Sequence, residues 1–524
     1  MIKLIRNLSQ GRNSLKVASI ILIITLFLSN VLGVLRNYFI SHNLPVQSTD
    51  IYYAAFRIPD LVLNLMILGA VSSALMPVFN GYLQKDDKKG AWHVANSIIT
   101  LALIILTSSI VILFFLMPYI IHLIVPHFGP EETRQTIKIA RILLLSPLLF
   151  GISYLFSGIL NSFQRFFAPA VAPLIYNASI IVGAGVLAPL FPLGDSRQII
   201  LLASSVIFGA FLHMLIQLPA MRHVGFHFHW IADYKNKAVR QIGKLMIPRT
   251  IGLGSNQIMF TVFTALASAT RGHISYFSYA NDIQTMPSVV FGLSFATAVF
   301  PSLSTAFHQE DDSKFTYYLS KTMKLVIALL IPLSALFILL RVGIVQALLG
   351  FSLHDSKVTA DTLALFSISL VFSGLIPLLA RAFFAMENTV TPTIISVISS
   401  ISSIVVAYLL RSHGAPGLAL AFSFGSILNA SLLYVTLRRK YKGINERKLI
   451  LFTLKVVLMV IIMSLVVQAF KGATSDWFNV KDTRLGMFAQ VIICGGVGAV
   501  LYIMMAQIFK VQEVQALWRR GGKN

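Results

Sequence analysis

Ala91–Leu123 reads AWHVANSIITLALIILTSSIVILFFLMPYIIHL, thirty-three residues without one Asp, Glu, Lys or Arg. At 1.5 Å per residue a helix needs only about 20 apolar residues to cross the ~30 Å hydrocarbon layer of a bilayer. The apolar residues of this run are not confined to one stripe, as they would be on a surface helix, but surround the axis. The segment is therefore expected to cross a membrane, and the rest of the chain repeats its pattern. Further apolar runs lie near 17–40, 52–83, 137–160, 168–190, 198–219, 243–269, 273–307, 315–349, 360–386, 392–411, 415–437, 449–470 and 485–509. The expected fold class is all-α integral membrane, with about 14 transmembrane helices. Spans longer than the hydrocarbon layer must tilt or protrude.

Composition agrees. Of 524 residues, 56% are hydrophobic and 12% charged, where a soluble domain carries about 25% charged. The net charge of +23 could suggest nucleic acid, but Lys and Arg concentrate in alternate short loops, as topogenic charges do. With the N-terminus placed inside, inner loops hold about 26 of the 42 basic residues and outer loops about 10. Both termini are then cytoplasmic, and no nucleic-acid partner is expected. Cys494 is the single cysteine, so no intrachain disulfide forms. The basic N-terminus precedes a run long enough to remain as the first span rather than as a cleaved signal.

The chain also repeats itself. Ile51–Phe56 (IYYAAF) and Ser72–Phe79 (SSALMPVF) recur about 224 residues later as Ser275–Ala280 (SYFSYA) and Ala296–Leu303 (ATAVFPSL). Lys85–Lys88 (KDDK) falls opposite Gln309–Asp312 (QEDD), and Ser162–Pro169 (SFQRFFAP) matches Ala385–Pro392 (AMENTVTP) at a spacing of 223. Six spans return the chain to its starting side, so the repeat predicts two parallel six-helix halves. These are 1–222 and 243–440, joined by a basic cytoplasmic linker at 223–242, with two further spans and a tail in 441–524. Repeated halves commonly place a substrate path at their interface and work by alternating access. Duplication kept for packing alone is the bland alternative. Residues 235–245 and 509–520 read as basic amphipathic helices on the inner surface.

A charge inside a span costs about 2.5–3.5 kcal/mol on insertion scales and is usually directed at a cavity or a partner. Arg36, Arg57, Asp60, Arg249 and Asp282 lie in the paired first and second spans of the two halves. Arginine suits an anionic substrate because its planar fork holds phosphate oxygens bidentately. Snorkelling to an interface is the ordinary alternative, and it is the reading preferred for Arg341, Arg381 and Lys455. The loops leave no room for a soluble catalytic domain. Neither a P-loop nor a zinc motif is present, and His223, His227 and His229 lack the ligands to complete a metal site. No enzymatic activity, metal or cofactor is expected, and transport would draw on an ion gradient or the membrane potential.

Taken in order, Val31–Arg36 (VLGVLR), Asp50–Pro59 (DIYYAAFRIP), Gly69–Phe79 (GAVSSALMPVF), Pro248–Ile258 (PRTIGLGSNQI), Phe300–Ser304 (FPSLS) and Asn388–Pro392 (NTVTP) resemble the MurJ/MviN lipid II flippases. The similarity runs through essentially the whole chain. It implies membership of the multidrug/oligosaccharidyl-lipid/polysaccharide exporter superfamily in a bacterial cytoplasmic membrane. The implied activity is movement of the undecaprenyl-diphosphate-linked peptidoglycan precursor to the outer leaflet, with cell-wall synthesis enzymes as further partners. Arg36 matches the family's cavity arginine, and Asp50 is retained. The residues expected to line the cavity are Arg36, Asn37, Asp50, Arg57, Arg249, Gln257 and Asp282. Several family charges are replaced: the acid after Arg36 is Asn37, an earlier arginine is Asn30, another is Leu63, and one in span eight is Asp282. Either the cavity is rebuilt around Arg36 and Arg249, the substrate has changed, or activity is reduced; the first is favoured. Export of another lipid-linked glycan or of a small cation is the nearest alternative, and a membrane glycan polymerase or its scaffold a more distant one.

Overall fold

A computed structural model describes residues 15–65, 75–350, 353–441, 443, 445–474, 484–511 and 513–515, with the side chains of 245–253 and a few others outside the description. Every element among the described residues is helical. Among the described residues, eleven helices are long and apolar enough to cross a membrane. The count is twelve if Asp355–Ser367 and Leu370–Ala385, bent by 44° at their junction, form one span. The spans expected over 52–83 and 243–269 run through residues or side chains outside the description, as does most of the amphipathic segment expected at 509–520.

The chain forms two compact units, Met1–Ile274 and Ser275–Asn524. The first contains α1 (Leu15–Asn43), α2 (Val46–Leu63), α3 (Met76–Gln84), α4 (Lys88–Ile124), α5 (Pro130–Leu143), α6 (Leu145–Ser162), α7 (Phe167–Val182), α8 (Ser196–Leu215), α9 (Leu218–His223) and α10 (Lys237–Ala267). Here α1 packs on α7, α7 on α8, and α2 on α5 and α6. Helix α10, which the sequence repeat counts with the second half, packs on α2 and α4. Of residues 235–245, expected to form a basic amphipathic helix on the inner surface, those from Lys237 onward open the continuous α10. The loop before it is pinned: buried Asn96 binds the backbone of both His227 and His229. Asp233 bonds His93 at 3.0 Å, and that bond holds its carboxyl below the usual carboxylate range.

The second unit contains α11 (His273–Pro287), α12 (Ser294–His308), α13 (Asp312–Leu349), α14 (Leu353–Ser367), α15 (Leu370–Ala385), α16 (Val390–Leu409), α17 (Gly414–Lys440), α18 (Glu446–Ala473) and α19 (Arg484–Ile508). The last two pack on α13 and on each other.

The backbone repeats in the register of the sequence. Helices α2 and α11 both stop before a π-helical turn, which begins at Asn64 in one and at Ser288 in the other. Helices α3 and α12 end in the same turn. Asp86 and Glu310 both take φ 54, and Asp87 N–H and Asp311 N–H each reach back five residues, to Tyr82 and Ala306, at 3.0 Å. This left-handed closure satisfies carbonyls that a helix end leaves free. The turn recurs at Gln164 and Glu387, both at φ 59. The hydropathy pattern predicts 137–160 and 360–386 as single spans. The first lies within Pro130–Ser162, which remains one candidate span with a local break at Leu144, and the second is the bent pair. Beside each break a serine bonds the carbonyl three residues back, Ser146 to Leu143 at 2.7 Å and Ser369 to Phe366 at 2.8 Å. The residue four beyond Leu143 is Pro147, which has no N–H to offer, so the Ser146 hydroxyl satisfies a carbonyl the proline leaves free. At Phe366 the Ser369 hydroxyl competes with the Leu370 N–H.

Asp87 and Asp311 also cap the helices that follow, accepting from Gly90 and Lys314 N–H at 2.8 and 2.9 Å. Losing an aspartate cap costs about 1 kcal/mol. Asp87→Ala and Asp311→Ala should therefore lower the thermal midpoint of the purified protein by similar, small amounts, read by unfolding in detergent.

Candidate functional site

The first unit builds its polar interior on α1, α2, α7 and α10. Near the C-terminal end of α1, Arg36 directs Nε and Nη2 to the Asn37 side-chain oxygen at 3.2 and 3.1 Å, and Nη1 to that of Asn177 on α7 at 3.4 Å. Asn37 and Asn177 are almost fully buried. The Asn177 amide nitrogen donates in turn to Ser29 Oγ at 3.3 Å, on α1 two turns before Arg36. The guanidinium thus rests on two neutral acceptors anchored to different helices. An amide orients a guanidinium without bringing a charge of its own. Tyr52 is buried on α2, and Tyr176 is half-buried on α7 next to Asn177.

Helix α2 serves two directions. Tyr52, Phe56 and Asp60 follow at i+4 spacing and share one face, while Tyr53 and Arg57 form the neighbouring one. Arg57 Nε donates to Thr264 Oγ1 of α10 at 2.6 Å, with its guanidinium 5.8 Å from the centre of the Phe260 ring. Gln257 sits one and two turns before Phe260 and Thr264 on α10 and is half-buried. The α2–α10 packing therefore unites two of the sequence candidates, Arg57 and Gln257, on adjoining surfaces. Arg249 lies on α10 as well, but its side chain is outside the described residues.

Asp50 does something else. Seven residues before Arg57, about 10 Å along the helix, its buried carboxylate accepts the Gly272 backbone N–H at 2.5 Å. Gly272 takes φ +86, a left-handed conformation suited to glycine. Nearby, Arg271 Nη2 donates to Gln47 Oε1 at 2.9 Å. Asp50 braces the turn that leaves α10. In the second unit Asp282 is half-buried on α11. Gln284, two residues on, is almost fully buried, with its amide nitrogen unbonded among the described residues.

Asn177, Tyr176 and Thr264 are not among the sequence candidates. Asn177 did carry a signal, as the only side-chain amide within the apolar run 168–190. Thr264 carried none, since a threonine in an apolar helix ordinarily bonds its own backbone, as this one also does to Phe260.

Comparison with known proteins gives consistent answers. A family model described as "Lipid II flippase MurJ" matches residues 46–488. A probable lipid II flippase MurJ from Buchnera aphidicola subsp. Schizaphis graminum is 27% identical over 449 residues, covering 83% of this chain and 86% of that one. The lipid II flippase MurJ of Burkholderia cenocepacia is 25% identical over 516 residues, covering 95% and 97%. Among solved structures, a lipid II flippase MurJ in an inward closed conformation superposes with a TM-score of 0.75 at 22% identity, covering 94% of this chain and 99% of that one. An inward-facing multidrug resistance MATE family transporter of the MOP superfamily gives 0.67 at 14% identity, covering 80% and 96%. At those identities the structural likenesses establish the fold.

Proposed function

Because the chain belongs to the lipid II flippase MurJ family, we propose that it carries lipid II, the diphosphate-linked peptidoglycan precursor, from the inner to the outer leaflet of a bacterial cytoplasmic membrane. The observation that carries the reading is Arg36, a half-buried guanidinium inside a helical unit, oriented by Asn37 and Asn177 from two helices. The lipid II headgroup is a dianionic diphosphate bearing a polar glycopeptide. It cannot enter hydrocarbon without losing its hydration, a cost of many kcal/mol for an unpaired charge. A guanidinium held in place offers replacement hydrogen bonds in a bidentate geometry. Arg57, steered by Thr264 and Phe260, supplies a second such group, and Arg249 is the remaining cationic candidate. Tyr52, buried on α2, and Tyr176, half-buried on α7 beside Asn177, carry hydroxyls fit to bind phosphate oxygens or bridging water.

The cycle proposed is alternating access, with the headgroup taken from the inner leaflet and released at the outer while the polyprenyl tail stays in lipid. Both termini face the cytoplasm, the protein catalyses no covalent chemistry, and it works alongside cell-wall synthesis enzymes. In cells depleted of their own lipid II flippase, expression of this chain should restore growth and outer-face lipid II. Stable expression in the membrane with no restoration of either would refute the assignment.

A further inference from the structure

Where α4 ends and α5 and α8 begin, the first unit contains a cavity of about 880 Å³. Its wall is a charged stripe on α5. Arg134, Lys138 and Arg141 follow at spacings of four and three, which places them on one face of the helix. Thr136, Ala140 and Leu143 occupy the opposite, buried face. Neither Arg134 nor Lys138 forms an ion pair among the described residues, and both are exposed. Arg141 is anchored: its Nε donates to the Phe114 carbonyl at 3.1 Å, and its guanidinium lies 4.5 Å from the centre of the Phe114 ring. One carboxylate, Glu131, shares the wall and accepts from Gln135 at 3.2 Å. Apolar lining comes from Ile142, beside Arg141 on α5, and from Ile199 and Ile200 on the facing α8.

Two features identify what surrounds it. The segment Pro130–Ser162 has 33 residues, about 50 Å of helix against ~30 Å of hydrocarbon. Its first two turns, PEETRQ, are too polar for hydrocarbon, so this is the end that lies at headgroup depth. The neighbouring end of α4 exposes Phe115, Tyr119 and Leu123, each more than two-thirds accessible, the aromatic and apolar surface of a helix meeting lipid at the interface. In the orientation proposed for the flippase this end is the outer one, where the general bias is against Lys and Arg. Three cations to one carboxylate on such a face need a local anion.

We propose that this groove binds an acidic glycerophospholipid of the leaflet it faces. The phosphate sits on Arg134 and Lys138, and an acyl chain lies along Ile142, Ile199 and Ile200. Isolated phosphate fits poorly, since half of the groove is apolar. The polyprenyl substrate is scarce compared with the phospholipid that a groove open to the bilayer meets continuously.

The test uses the purified full-length chain in nanodiscs containing equal amounts of phosphatidylglycerol and phosphatidylcholine, with retained lipids counted by native mass spectrometry. Wild type should keep phosphatidylglycerol selectively. The Arg134→Gln, Lys138→Gln double variant should lose roughly tenfold or more of that retention, since each basic group near a membrane surface contributes measurably to anionic-lipid binding. A control double variant, Lys88→Gln with Lys89→Gln, should retain it, and equal thermal midpoints in lipid-free detergent would show that both variants fold. Undiminished retention in the Arg134/Lys138 variant, equal retention of phosphatidylcholine, or a preference for added undecaprenyl phosphate would each overturn the proposal. Because the readout is binding alone, its outcome is separate from whether lipid II is transported.

Discussion

Replacing Arg36 by alanine should reduce lipid II transport by at least about a hundredfold while leaving the protein in the membrane at normal abundance. The magnitude follows from the interaction removed. Removing the guanidinium from the charge pair it would form with the bound diphosphate costs about 3 kcal/mol, roughly a factor of 10². Stability should change little, because the partners left behind, Asn37 and Asn177, are amides that can rebond. Asn177 already reaches Ser29. Arg36→Lys separates charge from geometry. An ammonium keeps the positive charge but cannot hold Asn37 and Asn177 with the planar fork of the arginine. Its transport should fall well below wild type and remain above that of the alanine variant. Transport assays paired with membrane quantification would measure both.

The second large effect is structural. Gly292 lies in the π-helical segment Ser288–Leu293 and meets α15 at Gly374. A Cβ at Gly292 would stand 2.5 Å from the Gly374 carbonyl oxygen and 2.7 Å from its Cα, so backbone would press on backbone. No rotamer change relieves such a clash; the segment and α15 must move apart. Overpacking a tight interior costs about 1–3 kcal/mol even where side chains can yield. Gly292→Val should exceed that range and cut the yield of folded protein severalfold, read as monodisperse protein after detergent extraction. A control at Gly81, whose Cβ would meet nothing within 4 Å, should express normally.

How much of this could be read from residues alone depends on the range of the interaction. The helical membrane class was visible because hydropathy is local and averages over a span. The duplication was visible because matched motifs at spacings of 224 and 223 survive divergence, and the paired turns at Asp86 and Glu310 and at Gln164 and Glu387 show the same register in the backbone. The breaks beside Ser146 and Ser369 were hidden by the same averaging: a local change in what one carbonyl bonds does not alter the mean hydropathy of its span. In the site, Arg36 stood out because a charge in an apolar run is costly. Its orienting partner Asn177 is 141 positions away, and pairing at that distance leaves no periodic trace. Asp50 belonged to a recognised motif, yet its bond to Gly272, 222 residues on, assigns it to bracing a turn. The pattern identified the residue and not its work.

The central claim is that Arg36 is part of a machine that moves the lipid II headgroup across the bilayer. Purified chain reconstituted into vesicles, with labelled lipid II on the inner side and an imposed potential or ion gradient, tests it most directly. The signal is the fraction of label reached by a headgroup-modifying enzyme added outside. Rapid exposure is expected with the wild-type chain, and none above protein-free vesicles with Arg36→Ala. Equal exposure with both proteins, or none with the correctly inserted wild type under any gradient, would contradict it.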